Sequence, residues 1–73
     1  MDIRIIVGAR IRELRLKKKI SQETLANIAQ IDRTYMTSVE NGKRNISIIN
    51  LEKIVKALDT DFTTFFKESA FYE

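Results

Sequence analysis

The chain contains no cysteine and no histidine. Disulfide staples are therefore excluded, and so are the usual zinc sites that stabilise many very small folds. The same absence removes the commonest general base and the best thiol nucleophile, which argues against catalysis. No cofactor or small-molecule ligand is expected. Proline is missing too, and glycine is confined to Gly8 and Gly42, so only those two positions are available as breakers. Helix boundaries must then be marked mostly by polar caps. No apolar run approaches the roughly 18–20 residues needed to cross a bilayer. The first stretch, MDIRIIVGARIRELR, is interrupted by Arg4, Arg10 and Arg12 and lacks the uncharged core of a secretory signal. A cytoplasmic protein without membrane contact is the simplest expectation.

What remains is short and basic. A chain of 73 residues makes one small core, worth on the order of 3–5 kcal/mol net, and oligomerisation is the supplement still open to it. The net charge of +3 is unevenly spread. Residues 1–58 carry twelve Lys and Arg against six Asp and Glu, whereas residues 59–73 carry one Lys against four acids. A basic body with an acidic end suits a protein whose main part faces phosphates while its tail faces elsewhere. Lys17, Lys18 and Lys19 belong to that basic surface or simply solvate a helix end, where cations also suit the macrodipole.

No segment alternates apolar and polar residues for long, so the expected fold class is all-α, five short helices around one core. The first runs from Ile3 to about Lys18, with Val7, Ile11 and Leu14 on one face. Ser21 reads as an N-cap for Gln22–Ala29, which buries Leu25, Ala26 and Ala29. Thr24 stands where a full capping box would have Glu. Asp32 caps a third helix from Arg33 to about Asn41, with Met36 and Val39 inward and Arg33, Thr34, Thr37 and Ser38 outward. Gly42 occupies the left-handed position after it. Ser47 caps a fourth helix striped by Leu51, Ile54, Val55 and Leu58, and Asp61 caps a last one carrying Phe62, Phe65 and Phe66.

Residues 21–45, SQETLANIAQIDRTYMTSVENGKRN, thus read as two short helices joined by a tight turn, an arrangement that can present a helix to the DNA major groove. SQETLA, DRTYMTSVENGKRN and LEKIVKAL together resemble the helix-turn-helix domain shared by phage repressors and Xre-type bacterial regulators, over about residues 6–66. Within that family the run DRTYMTSVENGKRNIS is most similar to the controller proteins of restriction–modification systems. The resemblance implies one DNA-binding domain over 1–73, with the helix-turn-helix at about 21–42 and a C-terminal dimerisation region at about 58–73.

It also implies roles. Arg33, Thr34 and Ser38 fall at base-reading positions, and Gln22, Tyr35, Thr37, Lys43, Arg44 and Asn45 at positions that hold the DNA backbone. An Arg can donate two bonds to guanine O6 and N7. Arg33 also sits in a first helical turn, where the dipole disfavours a cation, so a functional reading is preferred there. Thr34 and Ser38 either touch base edges or are merely solvated. The Tyr35 ring could be packing, with only its hydroxyl functional. In the family an Arg at the end of the first helix pairs with a Glu in the third, which here would be Arg15 and Glu40.

The aromatic end allows core closure or a two-fold contact. A mixture is favoured, with Phe62 mostly core and Phe65, Phe66 and Phe71 at a dimer interface. The implied function is a homodimeric transcription regulator on a double-stranded operator with two inverted half-sites, acting on its own promoter region. A phage-type repressor and an antitoxin DNA-binding domain are alternatives. So is a protein-interaction module that has lost DNA binding, against which Arg33, Lys43 and Arg44 argue.

Overall fold

Each helix begins where a side-chain oxygen takes up a free backbone N–H. The computed structural model describes all 73 residues. Its elements are α1 (Ile3–Lys17), α2 (Gln22–Ala29), α3 (Arg33–Glu40), α4 (Ile48–Ala57), α5 (Phe62–Phe65) and a closing 3-10 turn at Ser69–Tyr72. The caps are Asp2, Ser21, Asp32, Ser47 and Asp61, accepting from the backbone of Arg4, Thr24, Thr34, Asn50 and Thr64 respectively. Each such cap stabilises its helix by about 1 kcal/mol. Thr24 completes the α2 cap differently from a Glu: the Ser21 hydroxyl donates to Thr24 Oγ1 at 2.9 Å. The Arg4 side chain, bonded to Asp2, holds that carboxyl down at about 2. The Thr64 N–H does the same for Asp61, holding it below the usual carboxylate range.

The other ends repeat one device. After α1, α2, α3 and α4 the chain turns through a residue of positive φ: Lys19 (59°), Gln30 (58°), Gly42 (74°) and Asp59 (57°). Each donates back into its helix, and so does the residue after it, as when Gly42 N–H reaches Val39 O and Lys43 N–H reaches Ser38 O, both at 3.0 Å. This is the Schellman pattern. Three of the four positions lack glycine, although an L-residue there costs about 1–2 kcal/mol. Gly42 differs because a Cβ on it would lie 2.9 Å from the Ile5 Cα.

Packing follows the apolar spacing. Ile11, Leu25, Met36, Ile54 and Phe65 are fully buried, with Val7, Ala26, Ala29, Val39, Leu51, Val55, Ala57 and Leu58 around them. α1 packs on α3, and α2 packs on α3 and α4. Gly8 is not a breaker. It lies inside α1, at a place where the helices nearly touch: a Cβ there would come 2.3 Å from Val39 O and 2.8 Å from Glu40 O. Its missing side chain is needed for close approach, not for a bend.

α5 is a single turn, too short to be stable alone. Arg10 holds it. This arginine is 8% exposed. Its Nε donates to Phe65 O at 2.7 Å, Nη2 to Thr64 O at 2.8 Å and Nη1 to Glu13 at 2.8 Å. The side chain thereby satisfies the free carbonyls of the α5 end. The latch also corrects one expectation. Phe65, expected at a dimer interface, lies wholly inside the core of the single chain. By binding its carbonyl, Arg10 draws this end of α5 onto α1 and the ring inward. Phe62, Phe66 and Phe71 are partly buried against the same core. Phe62 stacks on Phe66 at 6.3 Å, and Phe71 meets Phe66 edge-on at 4.9 Å.

Two substitutions test the helix geometry. Gly8→Ala should lower stability by at least about 1–3 kcal/mol, since backbone carbonyls cannot yield to the added methyl. Lys19→Gly should raise it by up to about 1 kcal/mol, because relief of the left-handed strain exceeds the entropy glycine adds to the unfolded chain. Urea melts check both; a neutral Gly8→Ala would show that α1 and α3 are not in backbone contact.

Candidate nucleic-acid interface

α2 and α3 have eight residues each. They are joined through Gln30, Ile31 and Asp32, with Gln30 in the left-handed conformation that makes the turn tight. The inner side of α3, Met36 and Val39, is buried. Its outer side starts with Arg33 and Thr34, both exposed, and continues through the partly exposed Tyr35, Thr37 and Ser38. The turn at Gly42 then brings out Lys43, Arg44 and Asn45, all exposed. Three cations thus stand exposed at the start and just beyond the end of one short helix.

Two of the side chains are held by neighbours. The Arg44 guanidinium lies 4.8 Å from the centre of the Tyr35 ring, a cation–π contact worth about 0.5–1 kcal/mol at an exposed site. Tyr35 therefore does two things, packing one side of its ring on the core and carrying Arg44. An open groove of about 460 Å³ lies between the α2–α3 turn, Thr34, Tyr35, Arg44 and Asn50 of α4. Asn50 was not among the residues singled out from the sequence. Its place one turn beyond the Ser47 cap was the available signal, but α4 was read only for its apolar stripe.

At the start of α2, Gln22 Oε1 lies 2.5 Å from the Thr37 hydroxyl, which also sits 3.0 Å from Arg33 O. Arg33 Nη1 is 3.6 Å from Glu23 Oε2, with side chains 62% and 65% exposed. A pair so open to solvent leaves the arginine available to other partners.

Glu40 faces away from this surface. Its side chain is 3% exposed and is held by Arg15, Nε to Oε2 at 2.8 Å and Nη2 to Oε1 at 3.0 Å, while Arg15 Nη1 donates to Ile20 O at 3.1 Å. The fork pairs both carboxylate oxygens. It also ties the α1–α2 connection to the last turn of α3, where the helix dipole disfavours an anion.

Nowhere do three or more His, Cys, Asp or Glu side chains converge as a metal site would need, and no helix is long and apolar enough to cross a membrane. A family profile described as helix-turn-helix matches residues 11–65. The chain belongs to the Xre-type helix-turn-helix family. Its relatives include the control protein C.MunI of a Mycoplasma species, 44% identical over 68 residues that cover 92% of each chain. Among solved structures, the restriction–modification controller protein C.AhdI from Aeromonas hydrophila superposes with a TM-score of 0.85 at 42% identity, over 90% of this chain and all of that one. The controller protein C.Esp1396I, solved as a tetramer with its natural 35-base-pair operator, gives 0.86 at 36% identity over 92% and 88% of the two chains. Fold and family together identify a DNA-binding regulator that closely matches controller proteins.

The Arg15–Glu40 pair should matter to stability well out of proportion to a surface contact. Removing one partner leaves a buried charge uncompensated, so Glu40→Gln or Arg15→Met should each cost about 3–5 kcal/mol in urea melts. A loss below about 1 kcal/mol in both would place the pair with ordinary surface bridges.

Proposed function

We propose that the protein is a restriction–modification controller: a homodimeric transcription regulator that binds inverted half-sites in its own promoter region. One observation carries this reading. α3 is anchored on its inner side by Met36, Val39 and the Arg15–Glu40 fork, and the residues exposed on its outer side are Arg33, Thr34 and, past the turn, Lys43 and Arg44. A rigid helix with polar and cationic residues at its start is suited to entering the major groove N-terminus first.

In this reading Arg33, Thr34 and Ser38 touch base edges, Arg33 by two bonds to a guanine. Gln22, Tyr35, Lys43, Arg44 and Asn45 hold phosphates, with Thr37 behind Gln22 and Asn50 at the groove edge. Size supports pairing. The molecule measures 32 × 22 × 21 Å, whereas half-sites one helical turn apart are separated by about 34 Å. A single copy with one recognition helix cannot occupy both. The pairing face we assign is apolar: Ile48 and Ile49, 68% and 65% exposed, beside the half-buried Phe62, with Phe66 stacked behind it. This moves the dimer contact from Phe65 toward the start of α4, keeping Phe66 and leaving Phe71 at its edge.

Reading and holding separate experimentally. Arg33→Ala should cost about 1–3 kcal/mol at the cognate site and relax preference at one base pair. Lys43→Ala should weaken cognate and scrambled duplexes alike and reduce the salt slope by about one unit per site. Equal losses on both duplexes for Arg33→Ala would make it a phosphate contact. Footprinting on DNA upstream of the gene should show two protected half-sites, and protection of one alone would refute the dimer reading.

Association has its own test. Ile48→Ser combined with Ile49→Ser alters exposed side chains, so helix content should persist while sedimentation shifts toward monomer and DNA affinity falls. Dimers of unchanged strength would remove this face from the interface.

A further inference from the structure

Among the polar residues of the α2–α3 surface, Thr37 is in an unusual position, because its hydroxyl is engaged from within the protein on both sides. It lies 2.5 Å from Gln22 Oε1 and 3.0 Å from Arg33 O. A threonine hydroxyl has one proton to donate. If that proton went to the Arg33 carbonyl, two oxygens would face each other at the shorter distance without a proton between them. The proton therefore belongs on the Gln22 side.

We infer that Thr37 is a positioning residue: its hydroxyl fixes the Gln22 side-chain amide with the oxygen turned inward and the NH2 group turned toward a DNA phosphate. The inference rests on the DNA-binding reading and deepens it, since Thr37 then acts through Gln22 and not by its own contact. The chemistry selects this orientation. A phosphate only accepts hydrogen bonds, so an amide useful to it must present nitrogen. A free glutamine side chain rotates about its last bond and presents oxygen as readily as nitrogen. Occupying the oxygen from inside removes the wrong orientation before DNA arrives, so less ordering remains to be done on binding. The contact also joins the first residue of α2 to the middle of α3. The phosphate contact and the base-reading helix are thereby kept in register.

The test is a double-mutant cycle with Thr37→Val, which keeps the shape and removes the hydroxyl, and Gln22→Ala. The probes are a duplex from upstream of the gene and a scrambled duplex of the same composition. Thr37→Val should lower affinity for both duplexes by up to about tenfold, the range for one ordinary hydrogen bond. In the Gln22→Ala background the same change should have less than about a twofold effect, as expected when one residue works through the other. Thr37→Ser should retain near-normal affinity. Equal losses in both backgrounds would overturn the inference and make Thr37 a direct DNA contact. The Gln22 side-chain amide signals of the free protein give a reading that needs no DNA. They should shift in Thr37→Val and stay in place in Thr37→Ser; identical signals in all three proteins would also overturn it. Wild-type protein that binds neither duplex would instead defeat the DNA-binding reading, while those amide signals still decide whether Thr37 holds Gln22.

Discussion

At Gly8 the backbone of α1 rests almost directly on the carbonyls of Val39 and Glu40, and two turns further along Arg15 grips the Glu40 side chain. These two contacts set where α3 lies. The first fixes the separation of the helices by steric limit, because no side chain stands between them. The second fixes position along the axis by a directional fork of hydrogen bonds. A short helix of eight residues has little stability of its own, so its pitch relative to the rest of the molecule is inherited from α1. Everything displayed on its outer side depends on that inheritance.

The proposed recognition surface is correspondingly divided between what is held and what is free. Gln22 is held by Thr37 and Arg44 by Tyr35, whereas Arg33 has only an exposed glutamate near it. Held donors suit phosphates, whose positions vary little from one sequence to another. A free arginine suits a base edge, where the partner changes with the sequence and the side chain must adjust. For Gln22, Arg44 and Arg33 the internal contacts thus follow the same division as the proposed roles. Charge follows it as well: the acidic residues Asp59, Asp61, Glu68 and Glu73 all lie in the last stretch of chain, beyond α4.

Much of the fold was legible because it rests on local rules. Caps at Ser21, Asp32, Ser47 and Asp61 and the stripes through Ile11, Leu25, Met36 and Ile54 are written in neighbouring residues, and the helices fall where these place them. What could not be read depends on distance in sequence. Gly8 looks like a breaker until α3 is brought against it. Arg10 looks like a surface charge until Thr64 and Phe65 offer their carbonyls, more than fifty residues away. Phe65 and Phe66 are adjacent and chemically identical, so nothing local distinguishes the buried one from its half-exposed neighbour. The ends at Lys19, Gln30 and Asp59 were hidden for another reason: the hydrogen bonds of the Schellman turn outweigh the preference for glycine, so the usual marker is missing.

The arginine latch on α5 has a consequence for the order of events in the life of the chain. The single helical turn of α5 cannot form until α1 is in place to receive it, and α1 is synthesised before it. Phe62 and Phe66 are therefore presented in their mutual arrangement only by a chain that has already folded. A nascent or damaged chain with Arg10 disengaged carries the same apolar residues but no shaped face. In the proposed dimer that face is consequently available only on finished molecules, so the pairing we assign to it would follow folding instead of competing with it.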